Sequence, residues 1–352
     1  MEFSAEFHKQ IEEFVARATA EPEGQGGRGS LDDMRMGGAG QMLTTPGAPA
    51  DLVLPGLEAG DSGLLAGGGG SGKSWLVVEI ALGLALGWSW PWPRDIGWEA
   101  RDPARVAYFS AEDRARHVHR RLSAIGRYHG VTPGSEEARL ADANLDLFAA
   151  PHRRLTETAF GEPRLGEFTE QLLEEVEPGA YRLIILDPLS AFAPSAEIDV
   201  LGAAALVDAA RRVAAEKNAA VLLVHHSSQA AILSRETGQA AARGHTALVD
   251  GQRWVATLSP ALDPEQAADL GMDEIQRRRW VQLAIPKVSY AAAIPPMTFR
   301  RSIDPEHAGV LEPAPLPGGL AASSPTRGAS GTSRGGGNGK KSSGLEPYGV
   351  HA

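Results

Sequence analysis

The chain has 352 residues, 43% of them hydrophobic and 22% charged, which allows a sizeable core in one large α/β domain or two small ones. It has no cysteine, so disulfides and thiolate metal sites are excluded, and a reducing cytoplasm is the expected setting. A formal net charge of −10 excludes a protein that coats nucleic acid with its whole surface, although a few loops can still grip a strand through local positive charge.

In chain order, residues 1–20 form the first segment. Phe7, Ile11, Phe14 and Val15 follow the spacing of one helical face, which predicts a short amphipathic helix over Ser4–Ala18. It packs either on its own domain or on a neighbouring subunit. No basic region followed by an apolar core stands at the N-terminus, so no secretory signal is expected. Residues 21–50 are Gly-rich and read as a linker. Residues 51–314 alternate. Strands are expected at Gly63–Ala66, Arg105–Phe109, Leu145–Ala149, Leu183–Leu186 and Ala220–Val224. Helices are expected at Lys73–Leu86, Asp113–Tyr128, Leu165–Val176 and Val200–Glu216. This order predicts an α/β fold: a mostly parallel sheet with helices on both faces. Later strand candidates at Arg253–Leu258, Trp280–Val288, Met297–Arg301 and Gly309–Leu311 have few helices between them, and predict antiparallel strands at one edge. Residues 315–352 are rich in Gly, Ser and Pro and read as a solvated, disordered tail. The longest apolar run, Trp75 to Trp90, contains Glu79 and reads as a buried helix, so no membrane span is expected. The run Trp88-Ser89-Trp90-Pro91-Trp92 is expected to cap that helix against the core.

Within this pattern, Gly67-Gly68-Gly69-Gly70-Ser71-Gly72-Lys73-Ser74 fits G-x-x-x-x-G-K-[ST], with an apolar strand before it and an apolar helix after it. Glycines let backbone N–H groups turn inward around a phosphate, and the helix N-terminus adds a favourable dipole. Lys73 is expected to reach the β- and γ-phosphates of ATP, and the Ser74 hydroxyl to ligate Mg²⁺. Tyr181–Asp187 is an apolar strand ending in a carboxylate, and Asp187 is the expected second Mg²⁺ ligand. Pro188 follows it, so no water-activating acid stands beside Asp187. The strand ending Ser110-Ala111-Glu112-Asp113 offers one instead: Glu112 is the candidate general base, while Asp113 also reads as a helix-start acid. Val221–Val224 leads into His225-His226, a candidate for sensing the γ-phosphate. Two histidines without a third ligand at metal spacing are better read as hydrogen-bonded polar residues than as a metal site.

The order of these motifs, followed by Ala242-Arg243-Gly244-His245-Thr246-Ala247-Leu248-Val249-Asp250-Gly251-Gln252-Arg253-Trp254, resembles the RepA family of plasmid replicative helicases, which are hexameric RecA-like ATPases. The resemblance runs from about Asp51 to about Pro313 and includes Gly271–Glu274, Lys287 and Tyr290. It implies a RecA-like P-loop core and places Lys73, Ser74, Glu112 and Asp187 in the nucleotide and Mg²⁺ site. It implies that His226 is the γ-phosphate sensor and that Arg253 reaches into a neighbour's site, with Arg243 and Lys287 as further candidates for that trans contact. Arg121 reads as a solvated helix charge. The partners it implies are other copies in a hexameric ring, single-stranded DNA, and a primase or initiator protein. The chain departs from the family at Gln229, where a lysine begins the channel-facing loop. The loop Ser227–Ala242 keeps Arg235 but also has Glu236. A DNA-driven helicase, a regulatory or loader ATPase that unwinds nothing, and a slow nucleotide-timed binding protein all remain compatible with this fold.

Overall fold

The computed structural model describes residues 35–319, apart from 90, 93–97, 100–101, 160–161, 194–199, 227–246 and 290. The expected helix at Ser4–Ala18, the tail from 320 onward, and Arg243, Gln229, Arg235, Glu236 and Tyr290 lie outside the described residues. The chain divides into two compact units, Met1–Ala50 and Asp51–Ala352. In the first, the described residues hold one short, exposed helix, Ala39–Thr44.

The second unit opens with a small hairpin, β1 (Leu52–Leu54) and β2 (Leu57–Glu58), turned by Pro55-Gly56. Its main sheet contains β3 (Ser62–Gly67), β4 (Val106–Ser110), β5 (Leu145–Ala149), β8 (Leu183–Asp187), β9 (Ala220–His226), β10 (Trp254–Pro260), β11 (Trp280–Val288), β12 (Ile294–Arg301) and β13 (Leu311–Pro313). A second hairpin, β6 (Thr156–Ala159) and β7 (Glu162–Leu165), stands apart from it. Neither hairpin was expected, because strands of two to four residues carry too little periodicity to read.

The nine-stranded sheet runs β13-β12-β11-β10-β3-β9-β8-β4-β5. Strands β10, β3, β9, β8, β4 and β5 are parallel, and β11, β12 and β13 extend the sheet antiparallel from β10. This is the expected α/β arrangement, a mostly parallel sheet with an antiparallel edge. The Asp187 strand is not the direct neighbour of the phosphate-loop strand, because β9 lies between them.

Alternation along the parallel strands builds two cores. Val106 and Tyr108, Leu183 and Ile185, and Leu222 and Val224 face one side, with the helices Lys73–Leu86 and Ala115–Tyr128. Ala107 and Phe109, Ile184 and Leu186, and Val221 and Leu223 face the other, with Glu167–Glu175 and Val200–Lys217. A strand buried on both faces must be apolar throughout, which is why these runs lack polar positions.

Some boundaries shift for physical reasons. Strand β12, the second from the end, starts at Ile294 and not at Met297. Its two prolines sit where the β11–β12 register slips between Leu283 and Ile285, a bulge that tolerates a missing N–H. Gly309 belongs to a turn and not to a strand: its φ is +100°, and a Cβ there would lie 2.4 Å from the Trp75 ring. The helix Lys73–Leu86 is buried nearly all round, and Glu79 is 1% exposed within it. Its carboxylate accepts from the Leu311 N–H at 3.0 Å, so it ties the helix to β13. Of the expected aromatic cap, Trp92 is buried, edge-to-face with Trp98, and Trp88 packs against the same core beyond the Gly87 C-cap, while Trp90 lies outside the described residues. No helix among the described residues is long and apolar enough to cross a membrane.

Candidate nucleotide site

Parallel strands end together, so residues from different strands gather at one edge. Gly67 pairs with His226 across β3–β9, Leu186 with Leu223 across β8–β9, and Ser110 with Asp187 across β4–β8. The loop Gly67–Ser74, His226, Asp187 and Glu112 therefore meet at the carboxyl ends of β3, β9, β8 and β4. An open α/β sheet presents its ligand crevice at that edge.

The loop needs its glycines at particular places. Gly70 and Gly72 have φ of +72° and +105°. A Cβ on Gly67 would lie 2.3 Å from the Leu258 carbonyl oxygen, so no larger residue fits there. Lys73 is 3% exposed and its ammonium donates to the carbonyls of Gly67 and Gly68 at 2.8 and 2.9 Å. Burial pulls its pKa down to about 8, against the opposing pull of Asp187 and Glu112. The helix that follows has Gly72 as N-cap, no capping side chain and no acid in its first turn. Its first N–H groups are left for an anion.

Asp187 is 3% exposed. Its Oδ2 accepts from the Tyr108 hydroxyl at 2.9 Å, and its Oδ1 has no hydrogen-bond partner. Burial raises its pKa most strongly. The Tyr108 bond, the Ser74 hydroxyl and the charges of His226 and Arg121 act in the other direction. A buried carboxylate with one free oxygen beside a serine hydroxyl is a donor set that suits a hard divalent cation next to a phosphate. The residues present therefore fit Mg²⁺.

Glu112 projects outward with its side chain 60% exposed, and its Oε2 lies 4.0 Å from the His226 Nε2. Successive strand residues face opposite ways, so His225 is buried while His226 is exposed at the crevice. Burial and the charge of Lys73 lower the pKa of His226.

Two expectations are corrected beside Glu112. Arg121 is not a solvated charge. It forms an ion pair with Asp113 and its side chain is 18% exposed. Asp113 is not a helix-start acid either. The helix begins at Ala115 with Arg114 as N-cap, and the Asp113 carboxylate is used by Arg121 and by His117 at 3.4 Å.

Arg253 sits elsewhere. It is exposed at the start of β10, where Trp254 pairs with Gly63, while Leu258 pairs with Gly67. Four strand steps, roughly 13 Å at ~3.3 Å each, separate that level from its own phosphate loop. Trp254 is a core aromatic, 1% exposed, whose indole donates to the Pro55 carbonyl at 2.8 Å. Lys287 lies at the same end and donates to the carbonyls of Val249 and Asp250, each at 3.0 Å. Burial lowers its pKa, and Arg211 and Arg253 lower it further.

Sequence reasoning missed two residues at the crevice. Tyr108 carried a signal, since a phenol inside an apolar strand must find an acceptor. Arg301, whose Nη2 donates to the Gly70 and Ser71 carbonyls at 3.1 and 2.9 Å, carried none.

Three solved structures are similar to this chain, each with a TM-score of 0.45. The RadB recombinase is 14% identical, over 73% of this chain and 92% of that one. The ATPase domain of G40P is 12% identical, over 72% and 84%. A DnaB-like replicative helicase, solved with attention to its interactions with primase, is 12% identical, over 70% and 56%. The profile of a family described as an AAA domain, AAA_25, matches residues 37–231. That span holds the glycine loop, Glu112, Asp187 and His226, and the chain belongs to this AAA domain family.

Proposed function

We propose that the protein hydrolyses ATP as a RecA-like ring ATPase and couples hydrolysis to movement on, or unwinding of, DNA by engaging single strands, in the manner of the RepA-type replicative helicases it resembles. The observation that carries the reading is the convergence of Lys73, the half-unpartnered carboxylate of Asp187 and the exposed Glu112 at one sheet edge.

Lys73 and the uncapped helix N-terminus bind the β- and γ-phosphates. Ser74 and Asp187 hold Mg²⁺, which when bound neutralises charge on the phosphate oxygens. Tyr108 keeps Asp187 aimed through its hydrogen bond. Glu112 orients a water and takes its proton, since an exposed carboxylate at the mouth of the crevice can reach solvent. His226 lies close enough to Glu112 to report on the γ-phosphate through that carboxylate. Arg253 lies too far from its own loop to touch the same nucleotide, so it serves the site of a neighbouring copy. A site completed in trans requires a head-to-tail neighbour, in a ring or an open filament, and the hexameric ring is the assembly that the family resemblance implies. A primase or initiator is the class of protein partner that goes with it.

A second reading, a regulatory or loader ATPase without unwinding, is favoured by Gln229 in place of a channel lysine and by the net charge of −10. Steady-state ATP hydrolysis with and without single-stranded DNA, at low and physiological salt, separates the two. Stimulation that weakens as salt rises supports phosphate contacts along a strand. Turnover indifferent to DNA moves the regulatory reading to first place, and no turnover at all sinks both.

A further inference from the structure

The antiparallel extension does more than widen the sheet. At the end of β12 Arg301 turns back onto the phosphate loop, 230 residues earlier in the chain. Its Nη2 bonds two consecutive loop carbonyls, those of Gly70 and Ser71. The same nitrogen packs on Gly72, where a Cβ would lie only 2.9 Å away. Around this point the extension holds the loop's helix twice more, through Gly309 under the Trp75 ring and the Leu311 N–H on Glu79.

The guanidinium is costly to keep there. Burial lowers its pKa, its Nε is buried without a hydrogen-bond partner, and among the described residues no carboxylate pairs with it. A half-buried cation without a carboxylate is unfavourable unless something else compensates it. Here its acceptors are loop carbonyls. The Ser71 carbonyl turned toward Arg301 sends the Gly72 N–H of the same peptide the other way, as a phosphate-binding loop requires, while the Ser71 N–H closes a turn on the Gly68 carbonyl at 3.2 Å.

We propose that Arg301 is a positioning residue for the phosphate-binding loop: it fixes the Gly70 and Ser71 carbonyls so that the loop amides are set for phosphate before nucleotide arrives. The inference rests on the reading of this loop as the ATP site. A group that only pre-sets the loop helps ground state and transition state alike, so its loss appears in KM and not in kcat.

The test uses the full chain and the variants Arg301→Met and Arg301→Lys. It measures a fluorescent ADP titration, KM and kcat for ATP, and thermal melting without nucleotide. For Arg301→Met the expected result is a rise of roughly tenfold or more in KM and in the ADP Kd, with kcat within about twofold of wild type. Arg301→Lys keeps the charge and a donor, and should recover part of the affinity. Unchanged affinity in Arg301→Met overturns the proposal. So does a parallel fall in kcat, affinity and melting temperature that lysine does not rescue, because that marks a purely structural role. Should Arg301→Met fail to fold, Arg301→Lys decides alone: affinity weakened by a few-fold supports the proposal, and wild-type affinity overturns it. Wild-type protein that binds no ADP sinks the ATP reading itself, whereas wild-type binding with unaltered variants sinks only the role of Arg301.

Discussion

The two ends of the parallel sheet are built from the same strands yet have opposite character. At the carboxyl ends, two acids, a histidine and one buried lysine crowd a crevice: Asp187, Glu112, His226 and Lys73. At the amino ends lie Arg253 and Lys287, with Asp61 close enough that Arg253 lowers its pKa against the rise caused by burial. One end can bind a nucleotide by itself. The other offers cations with no phosphate site of their own. A single strand, β10, spans both, since Leu258 stands beside Gly67 and Trp254 beside Gly63. The difference teaches that Arg253 stands about four strand steps from its own phosphate loop, which is why a role for it in another copy of the chain is proposed.

That contrast can be broken in stages. The largest effect is expected from Lys73→Ala, which should abolish hydrolysis in a steady-state assay by removing the ammonium from the loop. Arg253→Ala should stay folded yet lose about 10³–10⁵ in rate if its charge serves a neighbour's transition state. Mixing Arg253→Ala with Lys73→Ala subunits should restore part of the activity, because some interfaces then join an intact lysine to an intact arginine. Absence of any restoration would place both residues in one subunit's function and erase the contrast. Glu112→Gln should bind ATP normally and lose roughly 10²–10⁴ in turnover, read from binding and single-turnover measurements. Normal turnover there would remove Glu112 as the base.

The smallest effect concerns pH. In the free protein burial holds Lys73 at a pKa of about 8. An anion bound beside it favours the protonated form and raises that value. Below pH 8 the lysine is already charged and nucleotide affinity should be flat. Above pH 8 binding must take up a proton, so affinity should fall by roughly tenfold per pH unit until the bound-state pKa is passed. Calorimetry in buffers of different ionisation enthalpy would show the proton uptake, and flat affinity from pH 7 to 9.5 would contradict the buried lysine.

The parts read correctly from sequence share one property: they depend on local pattern. The glycine loop, its helix Lys73–Leu86 and the strands ending in Asp187 and His226 follow from continuous apolar runs, short for strands and longer for the helix, bounded by glycines or polar termini. Glu112 was legible as the polar end of such a strand. Arg121 was misread because an i, i+8 pair with Asp113 spans the loop-to-helix junction, where no helical spacing rule applies. The partner of Glu79 was not legible, since the Leu311 N–H comes from 232 residues away.

By itself the sequence determined the mostly parallel sheet, the phosphate loop and the identity of the acids at the strand ends, because backbone geometry and side-chain alternation are local and each strand carries its own signal. Only the tertiary structure decided the order of the strands, with β9 set between the loop and Asp187, the placing of Arg253 at the far end, and the closing of Arg301 onto the loop. Those depend on which distant segments pair, and pairing is fixed by burial of the whole sheet and not by any one segment's pattern.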